Sequence, residues 1–170
     1  INVALKDVPQ SITVLNREFL KDLGGDELMD AAKYVSGVTA AGAPNSGQMT
    51  LRGWNTSGVT YRDGLFDPIY QHGGSAIYMS SYVRVEFIKG PSGTLYGSHT
   101  TGGIIDLVSK IPQSARRTTI RATAGDFSYL RTDFDTTGPV DPEKKLLYRL
   151  VVGYQNAENM QGLVNNRFQL

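Results

Sequence analysis

The 170-residue chain contains no cysteine, so neither a disulfide nor a thiolate metal site can contribute to its fold or chemistry. Histidine is nearly absent too: His72 and His99 are the only two, and neither has an Asp, Glu or His partner at ligand spacing. No metal centre and no cofactor are expected. An excess of one charge is also missing, since 17 Lys+Arg face 16 Asp+Glu for a net charge of +1. With no Lys/Arg cluster, a nucleic-acid partner is not expected. No apolar run approaches the roughly 18 residues that a membrane-spanning helix needs. That argument leaves β-strand crossings open, because their signal is shorter and weaker. Residues 1–6 lack a basic segment followed by an apolar core, so no signal peptide is expected there, and an exported protein would be represented by a mature or trimmed chain. The length suits one ordinary domain, or a small domain plus a piece of another.

What is present concentrates between Tyr82 and Pro112. Val83, Val85 and Phe87 alternate with Arg84, Glu86 and Ile88, the period of a β-strand. Lys89-Gly90-Pro91-Ser92-Gly93 then supplies turn residues, and Gly102-Gly103 leads into a second apolar run, Ile104 to Val108. The loop fits neither GxxxxGK[ST] nor GxGxxG, and no clear helix is expected after it, so a phosphate cradle is not expected. Gly90-Pro91-Ser92-Gly93-Thr94 lacks the last glycine of GxSxG. A hydrolase using Ser92 with His99 or His72 is therefore a remote alternative, and the protein is not expected to be an enzyme. The plain structural reading is a tight connection between two strands.

These residues carry a resemblance. Glu86 to Gly97, EFIKGPSGTLYG, resembles the VE-x-x-KGP-x-x-x-LYG signature of the plug domain of TonB-dependent outer-membrane receptors. Gly102 to Lys110, GGIIDLVSK, resembles the GG-x-I-N-x-V-[ST]-K that follows it, with Asp106 where the family usually has Asn. Upstream, VPQSITV and LMDAAKYVSGV are similar to the usual opening of a plug, and Leu51-Arg52-Gly53-Trp54 to its IRG-[FW] element. Tyr61-Arg62-Asp63-Gly64 departs from Y-[VI]-DG at Arg62, which must route its guanidinium to water or to an acid.

In order along the chain, Ser11–Leu15 reads as a strand, and Asn16 as the N-cap of a short helix with Glu18 in its first turn. Asp26 is a second candidate N-cap, before Leu28, Ala31, Ala32 and Val35 on one helical face, and Gly37 ends that segment. Residues 39–48 form a loop, 49–54 a strand running into a turn, 59–62 a short strand closed by Asp63-Gly64, and 65–81 a long loop. Ile12, Val14, Leu51, Val59, Val85, Phe87 and Ile104 are the expected core.

Beyond Pro112 the pattern becomes long alternation. Residues 116–126, 129–137 and 146–155 each place apolar side chains on one face and polar ones on the other, and a fourth strand begins near Arg167. Such segments of about ten residues suit transmembrane barrel strands, with Tyr148 and Tyr154 at the interfaces, and equally a soluble meander with one wet face. Three or four strands cannot close a barrel, whose smallest forms have about eight. The fold expected from the resemblance is an α+β plug domain over residues 1–115, with a small mixed sheet and short helices. Residues 116–170 would be the first antiparallel strands of a barrel of about 22 strands.

The resemblance implies a receptor in the bacterial outer membrane that takes up a ferric siderophore, the chelate being cargo. The plug would close the barrel lumen, and the energy-transducing protein TonB and outer-membrane lipid would be the partners. Cobalamin, haem and saccharide receptors share the plug, and a soluble small-ligand binding module is a further alternative. The TonB-binding segment should lie before Val8, and residues 1–7 show no convincing version of it. Apical loops would supply the ligand contacts: Asn45, Trp54, Asn55, Thr56, Tyr70, Gln71 and His72, aromatic and neutral groups suited to a bulky, partly aromatic chelate. Arg52, Arg84, Glu86 and Lys89, too charged for a core, would pair with the inner barrel wall, although a solvated face serves Arg84 as well.

Overall fold

The computed structural model describes residues 10–22, 27–41, 49–55, 60–67, 77–91, 93–97, 101–158 and 164–169. The chain divides into two compact units, residues 1–110 and 111–170.

The first unit is built on a five-stranded mixed sheet. Its strands are β1 (Ser11–Asn16), β5 (Thr60–Arg62), β6 (Leu65–Phe66), β7 (Tyr82–Lys89) and β8 (Gly103–Ser109), in the spatial order β1-β7-β8-β5-β6. β5 runs parallel to β8 and the other pairs are antiparallel. A smaller sheet joins β2 (Val38–Ala40), β3 (Met49–Leu51) and β4 (Trp54–Asn55), and helices α1 (Arg17–Asp22), α2 (Leu28–Ala32) and α3 (Gly93–Tyr96) are short.

Alternation on the strands divides the apolar residues between two faces. Leu15, Val85, Phe87, Ile105 and Leu107 share the main core with Leu20, Leu28, Ala31, Ala32, Val35, Met49 and Leu51. Ile88 and Ile104 point the other way and pack with Tyr61, against which Ile12 and Tyr96 lie. Ile12 and Val14 are only half-buried, because β1 is an edge strand. Val59 lies outside the described residues. Val83 is exposed despite sharing its period with Val85. The cause is a register shift: Tyr82 pairs with Ser109 and Arg84 with Val108, which leaves Val83 as the extra residue of a bulge.

Asn16 caps α1 as its side chain suggests, its Oδ1 accepting from the Phe19 amide at 2.9 Å. Asp26 lies outside the described residues. The residue at the N-cap of α2 is Glu27, whose side chain makes no capping bond, and the Leu28 amide donates instead to the Ile77 carbonyl at 2.8 Å. Backbone from another segment thus does what the expected side chain would do. One turn of helix, α3, does follow the Lys89–Gly93 loop, contrary to expectation. Four residues satisfy no sequence periodicity, so the turn is invisible in the pattern.

The second unit is an antiparallel meander of β9 (Arg117–Ala124), β10 (Leu130–Pro139), β11 (Leu147–Glu158) and β12 (Val164–Gln169). The fourth strand starts at Val164, earlier than its sequence suggests. The face that is covered is the polar one. Arg131, Asp133, Asp135, Thr137 and Gln155 are buried, whereas Ile120, Leu130, Tyr148, Leu150 and Tyr154 are exposed. Residues 111–116 take part in this: the Gln113 amide donates to Thr137 Oγ1 at 2.8 Å, and Arg149 Nη1 donates to the Ile111 carbonyl at 2.9 Å. A wet meander of ordinary type would show the reverse. Among the described residues no helix is long and apolar enough to cross a membrane, which says nothing of strands.

Candidate functional site

The β3–β4 hairpin displays the only two expected ligand contacts that lie among the described residues. Asn45, Thr56, Tyr70, Gln71 and His72 fall outside them, as do Ser92 and His99. Leu51 pairs with Trp54 across a two-residue loop, Arg52-Gly53, with φ of 51° and 83°. Two left-handed residues in succession match the twist of the flanking strands, the geometry of a type I′ turn. Glycine accepts it freely, but an arginine there carries strain of about 1 kcal/mol. The strain is held by a 2.7 Å hydrogen bond from the Arg52 amide to the Gly37 carbonyl. Trp54 is 59% exposed, yet its base is fixed, since a Cβ on Gly102 would lie 2.7 Å from Trp54 Cβ. Asn55 beside it is exposed as well. The turn therefore offers an exposed indole with an anchored base and a neutral amide.

The four expected charge contacts fare differently. Arg52 is exposed, with its stem against Gly37 and its guanidinium against Gly90, where an added Cβ would lie 3.2 Å from Nη1. Lys89, expected to be too charged for the interior, is buried. Its Nζ reaches the Ser36 carbonyl at 3.2 Å and Ser36 Oγ at 3.3 Å, so the ammonium is satisfied inside its own unit. Arg84 and Glu86 bond to each other, Nε to Oε1, at 2.6 Å. Alternation on β7 puts the two on one face, so this pairing could have been read from the sequence.

Two departures noted in the sequence find partners. Arg62 pairs with the buried carboxylate of Asp67 at 3.0 Å and lies 5.8 Å from the centre of the Tyr82 ring. Asp106 is buried on β8, and its Oδ1 accepts from the Gly64 amide at 3.1 Å. Asp63 reciprocates, accepting from the Ser109 amide at 2.8 Å, so the turn between β5 and β6 is fastened to β8 by two carboxylates. Tyr61 extends the attachment, its hydroxyl donating to the Tyr96 carbonyl and its ring meeting those of Tyr96 and Phe66 edge-on. Among the described residues, no group of three or more His, Asp or Glu side chains could hold a metal ion.

The family model of the TonB-dependent receptor plug domain matches residues 4–104. The chain belongs to this family. Among curated relatives, the plug-bearing chain is 32% identical over 159 residues to the metal-pseudopaline receptor CntO of Pseudomonas aeruginosa, covering 92% of this chain and 22% of that one. It is 34% identical over 135 residues to the catecholate siderophore receptor Fiu of Escherichia coli, covering 76% and 17% respectively. The crystal structure of the ferric-catecholate import receptor Fiu from Escherichia coli in its closed form matches with a TM-score of 0.84 at 28% identity, covering 96% of this chain and 23% of that chain. The ferripyoverdine receptor of the outer membrane of Pseudomonas aeruginosa, bound to ferripyoverdine, matches with a TM-score of 0.83 at 26% identity, over 92% and 21%. The chain spans about a fifth of the length of the curated relatives it matches. Its mixed sheet with few, short helices is the plug fold of these receptors.

Proposed function

We propose that this chain is the plug and first barrel strands of an outer-membrane receptor that takes up a ferric siderophore in a TonB-dependent manner. One observation carries the membrane part of the reading: the sheet that follows the plug buries its polar face and exposes its apolar one. Hydrocarbon accepts such a face, and a closed barrel satisfies the backbone at the sheet edges. The sheet of β9 to β12 would continue into a barrel of about 22 strands around the plug. The siderophore reading rests on relatives that are named as receptors for metal-pseudopaline, ferripyoverdine, ferrioxamine B and catecholate siderophores.

In this reading the chelate meets the apical loops, including Trp54 and Asn55 and the segments that hold Asn45, Thr56, Tyr70, Gln71 and His72. Pulling by TonB from the periplasmic side then rearranges the plug. Lys89 is already engaged by Ser36, so Arg52, which is exposed at the turn, is the better candidate for a contact with the barrel wall. The test uses the full-length receptor in detergent. Ferric catecholate, hydroxamate and mixed chelates are titrated by fluorescence quenching, beside cobalamin and haem. A ferric chelate bound tightly, and more weakly after Trp54→Ala, supports the reading. Tight binding of cobalamin or haem alone moves the protein to the neighbouring class of receptor. A native polypeptide that stays soluble without detergent and ends near Leu170 defeats the barrel assignment.

A further inference from the structure

We infer that the buried Asp106, set opposite Glu86 on the neighbouring strand, acts as a proton-responsive clasp that tightens the plug sheet in acid and loosens it near neutral pH. The two residues stand directly opposite each other on β7 and β8. Residues so placed in an antiparallel pair share a face, with Cβ atoms about 5 Å apart, and like charges there repel. Asp106 is 8% exposed, so its charge is poorly hydrated as well. Its flank offers little relief. Tyr61 lies beside it in register on β5, and Tyr96 of α3 hydrogen-bonds with Tyr61. Asp63, in the turn between β5 and β6, adds a second negative charge nearby. Arg84 is the cation on this face among the described residues that bear on Asp106, and its Nε is committed to Glu86.

Burial pushes the Asp106 carboxyl above the usual carboxylate range, and the Glu86 charge adds to that. The Gly64 amide and Arg84 work against it without reversing it. A group whose pKa is higher in the folded protein than in the unfolded chain binds more protons when folded. Its contribution to stability is therefore greatest in acid and is lost as pH rises through the folded value. When Asp106 is protonated, it can donate to Glu86 across the strands, and repulsion gives way to an O–H···O⁻ bond. When both are ionised, β7 and β8 are pushed apart where β8 also carries β5 and β6. The hairpin of β5 and β6 is the part that loosens, because β6 is the sheet edge and β5 is joined to the sheet through β8, the strand that Asp106 displaces. Acid then seats this hairpin more firmly.

The experiment is hydrogen exchange of the full-length receptor in detergent, read by mass spectrometry and corrected for intrinsic rates, between about pH 4 and pH 7.5. Peptides covering residues 60–67 and 103–109 are compared with peptides of the main-core helices. The expected result is protection that falls with rising pH in the first two, by roughly tenfold for each unit by which the Asp106 pKa is raised, and is flat in the helices. Asp106→Asn should abolish the pH dependence and leave protection at pH 7.5 at or above that of the unaltered receptor. Glu86→Gln keeps Asp106 titratable and should move the transition to lower pH, which decides the matter should Asp106→Asn fail to fold. An unchanged profile in either variant, or a unaltered receptor with no pH dependence in these peptides, overturns the inference.

Discussion

The first unit buries a mainly apolar core with a few paired charges such as Lys89 and Asp67, whereas the sheet of the second unit buries its polar face. In residues 1–110 the covered positions are Val85, Phe87, Ile105 and Leu107, and each can be replaced only by something equally apolar. In residues 111–170 the covered positions are Arg131, Asp133, Asp135 and Thr137. Arg131 is 1% exposed, its Nε and Nη2 bound to Asp133 at 3.0 and 2.6 Å and its Nη1 to Gln155 at 3.2 Å. Arg149 grips Asp135 with two nitrogens, at 3.0 and 2.8 Å. The same strand alternation builds both, so alternation alone does not say which face is inside. What does say it is how completely the polar groups are paired, because a buried polar face survives only when its charges and amides are satisfied.

The sharpest way to break that contrast is to delete one buried group in each unit. Phe87→Ala should cost about 3–5 kcal/mol through the cavity it leaves. Arg131→Met should cost a similar 3–5 kcal/mol for another reason, since Asp133 is left as an uncompensated buried charge. The double variant Arg131→Met/Asp133→Leu should recover most of the loss, whereas no second substitution on the polar face of the sheet can rescue Phe87→Ala. Denaturant midpoints of the full-length receptor measure all three. A double variant as unstable as Arg131→Met would show that the pair does more than neutralise itself.

The exposed faces offer a smaller and more diagnostic contrast. Tyr34 is 60% exposed on the first unit and Ile120 70% exposed on the second. Tyr34→Lys should change stability by less than about 0.5 kcal/mol. Ile120→Lys should cost about 2–4 kcal/mol in lipid vesicles if β9 faces the bilayer midplane, and almost nothing if that face is wet. Folding yield into vesicles, compared with stability in detergent, separates the two.

How much of this could be read from residues alone differs between the units. The strand, loop and strand around Lys89–Gly103 was legible because period-2 runs and glycine turns are local signals, and so was the Asn16 cap. Lys89 was misjudged because its partner, the Ser36 carbonyl, is a backbone group 53 positions away that no side-chain pattern announces. Val83 was misplaced by a bulge that shifts its phase without leaving a mark in composition. In the second unit the strands were evident, but the buried sense of their polar face was not. It depends on cross-strand register, which sets Arg131 opposite Gln155. Arg62 was the converse case: a charge in a strand position required water or an acid, and of the two it is Asp67 that pairs with it.

Two smaller tests concern the ends of local elements. Asn16→Ala removes the acceptor for the Phe19 amide and should cost about 1 kcal/mol in the first unit, measured by the same denaturant midpoint. The last concerns the turn between β10 and β11, where Asp141 is the mirror image of Asp106. Its Oδ1 accepts from the Leu146 amide at 2.7 Å and its Oδ2 from the Lys145 amide at 3.1 Å. These bonds, the Leu146 bond foremost, hold its pKa below the ordinary value. A lowered carboxyl pKa gives order that is present above the unfolded value, near 3.9, and lost as pH falls through the folded one. Exchange protection of the Lys145 and Leu146 amides should therefore be complete above about pH 4 and be lost only as pH falls below it, and Asp141→Ala should leave both unprotected throughout. The plug sheet around Asp106 should move the other way, its protection falling as pH rises above the ordinary carboxylate value. The signs differ because one carboxylate is surrounded by donors and the other by low-dielectric core and a second acid. Parallel pH responses in the two segments would mean that a single global transition, and not these two local groups, governs both.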